Sequence, residues 1–196
     1  MKNLNKRIIP KIAVLGGACL LLIAAIVLIS WQGNIHYSMQ KSEEYVQTLQ
    51  ALIPEPQGAA LEERRDNTMT MLSVDKIDFI GILEMPRFNS KVPVCAYWGN
   101  VSKYPCCFSG SIYDRTMQIG ATSQKGQYDF YREISVGDTI LFTDMEGNRY
   151  NYTITNLRYA KHADQSSLNR TDSALTLFIK NMYDFEYLII SCNVSN

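Results

Sequence analysis

Residues 12–31 carry no charged side chain, and this apolar run constrains the chain more than any other feature. A backbone in hydrocarbon must satisfy its own N–H and C=O groups, which makes a helix the form such a run adopts. At about 1.5 Å of rise per residue it matches a hydrocarbon core of about 30 Å. Lys2, Lys6, Arg7 and Lys11 precede it; Gln32, Gly33, Asn34 and His36 follow, with Lys41 the first cation beyond. That asymmetry predicts a cytoplasmic N-terminus and a C-terminal part outside the cell. A cleaved signal peptide is disfavoured, because the run is long and no small-x-small site follows Ser30. Cys19 has apolar residues on both sides and reads as a small membrane-helix residue rather than a lipid attachment point.

Residues 35–52 carry a second helical pattern, with Val46, Leu49, Leu52 and Ile53 along one stripe and Glu43 and Glu44 near its start. Pro54 and Pro56 are expected to stop it. Residues 59–66 add a short helical piece whose run Glu62-Glu63-Arg64-Arg65-Asp66 is most simply a solvated face. The sequence therefore divides into a basic cytoplasmic tail (1–11), a transmembrane helix (12–31), a helical stalk and linker (32–75) and a folded domain (76–196).

From Ile77 onward the pattern is all-β. Residues 92–97, 117–121, 139–142, 150–159, 175–179 and 187–191 are short, rich in β-branched and aromatic side chains, and separated by turns. Tyr150, Tyr152 and Ile154 alternate with Asn151, Thr153 and Thr155, the pattern of a strand with one buried face. Asp144-Met145-Glu146-Gly147-Asn148 reads as a hairpin loop with Gly147 at a positive-φ position. Periodicity alone leaves barrel and sandwich open. Nineteen basic and nineteen acidic side chains balance, so charge gives no case for nucleic-acid binding. Beyond the apolar run lie Cys95, Cys106, Cys107 and Cys192; their spacing fits no metal signature, and buried free thiols are the favoured state. Neither a metal nor another cofactor is implied.

Several segments resemble the sortases, Gram-positive cell-surface cysteine transpeptidases, most nearly those of classes B and D. Gly81-Ile82-Leu83-Glu84-Met85-Pro86 followed by Val92-Pro93-Val94 is similar to the family's opening pair of strands. Pro105-Cys106-Cys107-Phe108-Ser109-Gly110-Ser111 is similar to the segment leading to its histidine strand. Ala174-Leu175-Thr176-Leu177-Phe178-Ile179-Lys180 resembles the family's Thr-Leu-x-Thr-Cys strand, with Lys180 at the cysteine position. The strand that ends Ala-Gly-His in the family reads Ile119-Gly120-Ala121-Thr122, and counting back from Val136-Gly137-Asp138 puts Thr122 at the histidine position. Tyr187 matches the arginine position, with Glu186 one register away. The resemblance spans residues 77–193. It implies a closed sortase-type β-barrel with short helices in its loops. It also brings Cys106 and Cys192 near the barrel wall, where a bond between them is conceivable.

All three catalytic positions are replaced together. A thiolate attacks a peptide carbonyl, whereas the ammonium at Lys180 has no lone pair to attack with. Thr122, Ser123, Lys180, Tyr187 and Tyr128 are therefore expected to line a groove that binds a surface peptide or protein without catalysis. The alternative is a sortase-type peptidase or transpeptidase acting on cell-wall sorting signals through displaced residues. One version pairs Thr122 or Ser123 with Lys180 as general base; Asp184 and Glu186, close in sequence, would oppose it by keeping Lys180 charged. The other pairs Cys95, Cys106 or Cys107 with His162. A purely structural surface domain is the third reading. The loop Gln124-Lys125-Gly126-Gln127-Tyr128-Asp129-Phe130-Tyr131-Arg132 is expected to close one end of the barrel or to recognise a partner.

Overall fold

Alternating apolar positions dominate the C-terminal three fifths of the chain, and they fold as one closed sheet. The computed structural model describes residues 5–55, 57–58, 68–161, 173–184 and 186–195. Two units separate within it, residues 1–38 and 39–196.

Helix α1 spans Asn5–Leu52. Its segment from Gly16 has a mean hydropathy of 2.0 and is long and apolar enough to cross a membrane. The side chains of Leu20, Leu21, Ile23, Ile26 and Ile29 are exposed, as a lipid-facing surface requires. Within the second unit, the last turns of α1 bury Ser42, Tyr45, Val46 and Leu49. Leu52, expected on that stripe, is instead exposed, and Tyr45 takes the inward position. The spacing 42, 45, 46, 49 is a single helical face. The helix ends before Pro54, whose ring excludes the helical conformation from Ile53. The short helix expected at residues 59–66 lies outside the described residues.

Eight strands close the barrel: β3 (Ile77–Met85), β4 (Ser90–Cys95), β5 (Cys106–Ser109), β6 (Met117–Thr122), β7 (Thr139–Asp144), β8 (Asn148–Ala160), β9 (Leu175–Lys180) and β10 (Tyr187–Val194). Around the wall they run β3-β4-β5-β6-β9-β10-β8-β7 and return to β3. Two short strands, β1 (Gln57–Gly58) and β2 (Leu72–Val74), add to β8 and β3. Barrel closure, left open by periodicity, thus follows from β7 pairing with both β3 and β8. Most seams are several residues long, but β4 meets β5 through one register pair, Cys95↔Cys106.

The interior holds Leu83, Val94, Ile119, Phe142, Tyr152, Leu177, Ile179, Leu188 and Ile190. Tyr150, Tyr152 and Ile154 are buried as their alternation predicts. A second core lies on the other face of β3, β4 and β5, where Tyr45, Val46 and Leu49 of α1 meet Phe79, Ile82, Cys95, Tyr104, Cys106 and Met145. The rings of Tyr45, Phe79 and Tyr104 lie 5.2–6.3 Å apart, within the range of favourable aromatic packing. Residues 42–49, read from the sequence as part of a stalk, thus contribute side chains to a core of the domain.

Turn chemistry fixes the ends of the strands. Gly147 takes φ +83° in the β7–β8 hairpin and Gly137 takes φ +94° in the Gly-Asp turn, conformations that glycine adopts without strain. Asp138 accepts from the Ser135 backbone N–H at 2.9 Å and from Arg87 at 2.8 and 2.9 Å, which pins this turn to the one after β3.

Candidate functional site

Parallel pairing of β6 with β9 places Thr122 directly opposite Lys180. Antiparallel pairing of β9 with β10 places Tyr187 opposite Lys180 on the other side. The three positions aligned by motif resemblance therefore form one row across three adjacent strands. Opposed residues in a sheet share a face, and this row lies on the face opposite to Ile119, Ala121, Ile179 and Leu188, which point into the barrel core.

The members of the row differ in access. Thr122 is buried, and its hydroxyl has no hydrogen-bond partner among the described residues. Its backbone N–H donates to Gln127 Oε1 at 3.0 Å. The Thr122–Lys180 hydrogen bond that a hydroxyl–amine dyad needs is thus not formed. Ser123, its alternative nucleophile, is buried and accepts from the Met182 backbone N–H at 3.1 Å, while its own N–H donates to the Lys180 carbonyl at 2.9 Å. Both contacts hold the β9–β10 turn. Lys180 and Tyr187 are half-buried. Glu186 donates its N–H to Asp184 and accepts from the Asn181 N–H at 2.7 Å, a turn role for its backbone.

Tyr128, expected in the groove, has no exposed surface. Its ring belongs to the barrel core and meets Phe130 edge-on at 5.7 Å; burial raises its phenol pKa well above the usual range. The loop from Gln124 to Arg132 thus closes one end of the barrel, with Tyr131 also buried. A cleft of about 370 Å³ opens beside it, lined by Tyr131, Arg132, Tyr159, Asn181, Asp184 and Glu186. Arg132 donates to the Tyr131 hydroxyl at 2.8 Å on its wall.

No cysteine stands at the row. Cys95, Cys106 and Cys192 are fully buried, and burial pushes the Cys192 thiol pKa up. Cys107 is partly exposed, but burial, followed by its neighbour Cys106, pushes its pKa up to about 11. Its thiolate fraction at pH 7 is then on the order of one in ten thousand. Cys192 sits in the barrel core and Cys106 in the second core, so a Cys106–Cys192 bond is not the arrangement adopted. His162, the expected base of a displaced cysteine, lies outside the described residues.

One feature escaped the sequence reading. On the outer face, two residues along the strands from the row, Gly120 of β6 has its partner Phe178 on β9 and leaves room for Trp98. A Cβ at Gly120 would lie 2.4 Å from the Trp98 ring and 2.7 Å from Phe178. Trp98 stacks on Phe178 at 5.7 Å, Phe108 meets Trp98 at 5.2 Å, and Phe108 meets Phe178 at 5.5 Å. Ile189, Tyr187 and Ala160 continue this apolar layer. Phe178 is buried, but Trp98 and Phe108 each keep 42% of their surface exposed, and Tyr97 keeps 59%. Two signals in the sequence point to such a layer: a glycine inside a strand and the aromatic Phe178 between Thr176 and Lys180 on the other face of β9.

No family model matches the sequence, and no curated protein does. Solved structures match in fold. Sortase C1 of Streptococcus agalactiae aligns with a TM-score of 0.53 at 14% identity, over 63% of this chain and 71% of that one. A sortase C of Clostridium perfringens, solved with its C-terminal cell wall sorting motif, gives 0.51 at 15% identity over 61% and 71%. Sortase A of Listeria monocytogenes gives 0.50 at 17% identity over 60% and 88%. The chain therefore has the sortase fold preceded by an apolar helix, and likeness at this identity distinguishes no class within that fold.

Proposed function

We propose that this sortase-fold chain is a single-pass membrane protein that holds its barrel outside the cell and binds a peptide or protein segment there without cleaving it. One observation carries this reading: in the row Thr122–Lys180–Tyr187 the half-buried Lys180 ammonium and Tyr187 phenol stand beside the buried Thr122, and a half-exposed aromatic layer adjoins them. Neither Lys180 nor Tyr187 supplies a thiolate, and without an activated nucleophile no acyl-enzyme forms. Topology rests on the basic residues that precede the apolar run, which favour a cytoplasmic N-terminus.

Trp98, Phe108, Tyr97 and the flank of Tyr187 offer flat apolar surface with polar edges, the composition that dominates protein-binding hot spots. Lys180 stands at the end of this surface, and an extended segment with an apolar side chain suits the aromatic layer beside it. Of the groove positions expected from the sequence, Lys180 and Tyr187 adjoin this surface, whereas Thr122, Ser123 and Tyr128 are buried.

Binding is measured with the full chain in detergent, titrating fluorescent sorting-signal-like peptides and following anisotropy. Trp98→Ala is expected to weaken the tightest ligand about tenfold or more, with circular dichroism unchanged. Equal affinity of the variant and the parent chain would remove this surface from consideration.

A further inference from the structure

The β4–β5 seam is the barrel's shortest, and both residues of its single register pair are cysteines. Opposed residues on paired strands lie about 4.8 Å apart, inside the Cα separation of about 4.4–6.8 Å that a disulfide spans. Both side chains enter the second core and are fully buried there. The neighbouring Cys106 thiol, and burial after it, raise the Cys95 pKa. Cys106 in turn donates to the Tyr104 carbonyl at 3.3 Å, and the Cys95 N–H donates to the Pro105 carbonyl at 2.8 Å. Of the remaining cysteines beyond the apolar run, Cys192 belongs to the barrel core, and Cys107 directs its thiol to the Ser109 and Gly110 carbonyls.

We propose that Cys95 and Cys106 are joined as a disulfide that staples the barrel at this seam and fixes the segment carrying Trp98. In an oxidising compartment, where the proposed topology puts the domain, such a pair is stable. The oxidant is a second disulfide, of a low-molecular-weight thiol or of an oxidoreductase, acting before the second core closes. One cysteine thiolate attacks that disulfide and releases one thiolate. The other cysteine thiolate then displaces the second half. Two protein thiols become one disulfide, and their two protons and two electrons pass to the oxidant, which becomes two thiols. Folding then buries the bond beneath Tyr45, Phe79 and Tyr104.

The bond closes the loop between residues 95 and 106, which contains Tyr97 and Trp98. It thereby anchors one end of the aromatic layer against β6, a role separate from whether that layer binds a peptide.

The full chain, refolded from denaturant into detergent in reduced and oxidised glutathione, is then denatured, alkylated without reduction and digested with trypsin. Peptide 92–103 is expected linked to peptide 104–115, with fragmentation placing the bond on Cys106 rather than Cys107. Complete alkylation of both Cys95 and Cys106 would overturn the proposal, as would a bond from Cys106 to Cys192. A second measurement does not depend on any substitution. Protein prepared throughout in reductant is expected to melt about 5–10 °C below the oxidised form, and equal melting would count against a staple. The chemistry here is read without peptide ligand, so its failure and a failure of the binding proposal are distinct results.

Discussion

Asp144→Ala is expected to destabilise the domain by about 3–5 kcal/mol, because one carboxylate organises the whole β7–β8 hairpin. Asp144 is 2% exposed. Its Oδ1 accepts the backbone N–H groups of Glu146 and Asn148 at 2.9 and 2.8 Å. Its Oδ2 accepts from the Asn148 side chain at 3.1 Å, Tyr150 OH at 3.3 Å and Tyr113 OH at 3.4 Å. Alanine would strand several of these donors away from water, and each buried orphan costs about 1–3 kcal/mol. The same hairpin sends Met145 into the second core and brings Gly147 against Pro54 at the exit of α1, so the loss spreads beyond one turn. Asp144→Asn keeps an acceptor oxygen and is expected to cost roughly half as much. Thermal denaturation followed by circular dichroism checks both, with a Tm fall of about 6–15 °C for alanine. A change within 1 °C would show that the donors find other partners.

Phe178→Ala is the second large effect, and it joins stability to the proposed surface. The ring is 2% exposed, with Trp98 stacked on it, Phe108 edge-on and Ile189 beside it. Removing a buried aromatic ring leaves a cavity and costs about 3–5 kcal/mol. Trp98 would lose the side chain beneath it, and peptide affinity is expected to fall further than for Trp98→Ala. Phe178→Leu retains most of the volume and is expected to cost about 1–1.5 kcal/mol. Equilibrium unfolding in urea reads the first effect and Trp98 fluorescence the second. A Phe178→Ala domain as stable as its parent, with unchanged fluorescence, would contradict the packing described for this face.

Much of the barrel was legible because its chemistry is local. Tyr150, Tyr152 and Ile154 announce their strand by alternation, and Gly137 and Gly147 mark turns that need positive φ. Thr122, Lys180 and Tyr187 could be aligned from motif resemblance, and sheet register sets them in one row. What escaped the sequence depends on pairings between distant segments. Tyr45 rather than Leu52 faces inward because Phe79 and Tyr104 receive it. Cys95 meets Cys106 because β4 and β5 run parallel at that one pair, and no spacing rule selects it over Cys106 with Cys192. The aromatic layer depends on Gly120 admitting Trp98 from a turn between β4 and β5. Tyr128, expected in the groove, turns its ring into the barrel, where it packs against Phe130.

Binding without cleavage is expected at the row formed by Thr122, Lys180 and Tyr187, which no described thiol reaches. The most direct test incubates the full chain in detergent with sorting-signal-like peptides and an amine acceptor, beside a sortase C that turns the same peptides over, and reads products by mass spectrometry. Neither cleavage nor transfer by this chain is expected, with peptide recovered intact and bound. Cleavage or transfer would contradict that expectation; inhibition of that turnover by a thiol alkylating agent would then assign the chemistry to a displaced cysteine, and resistance to alkylation would assign it to Thr122 and Lys180.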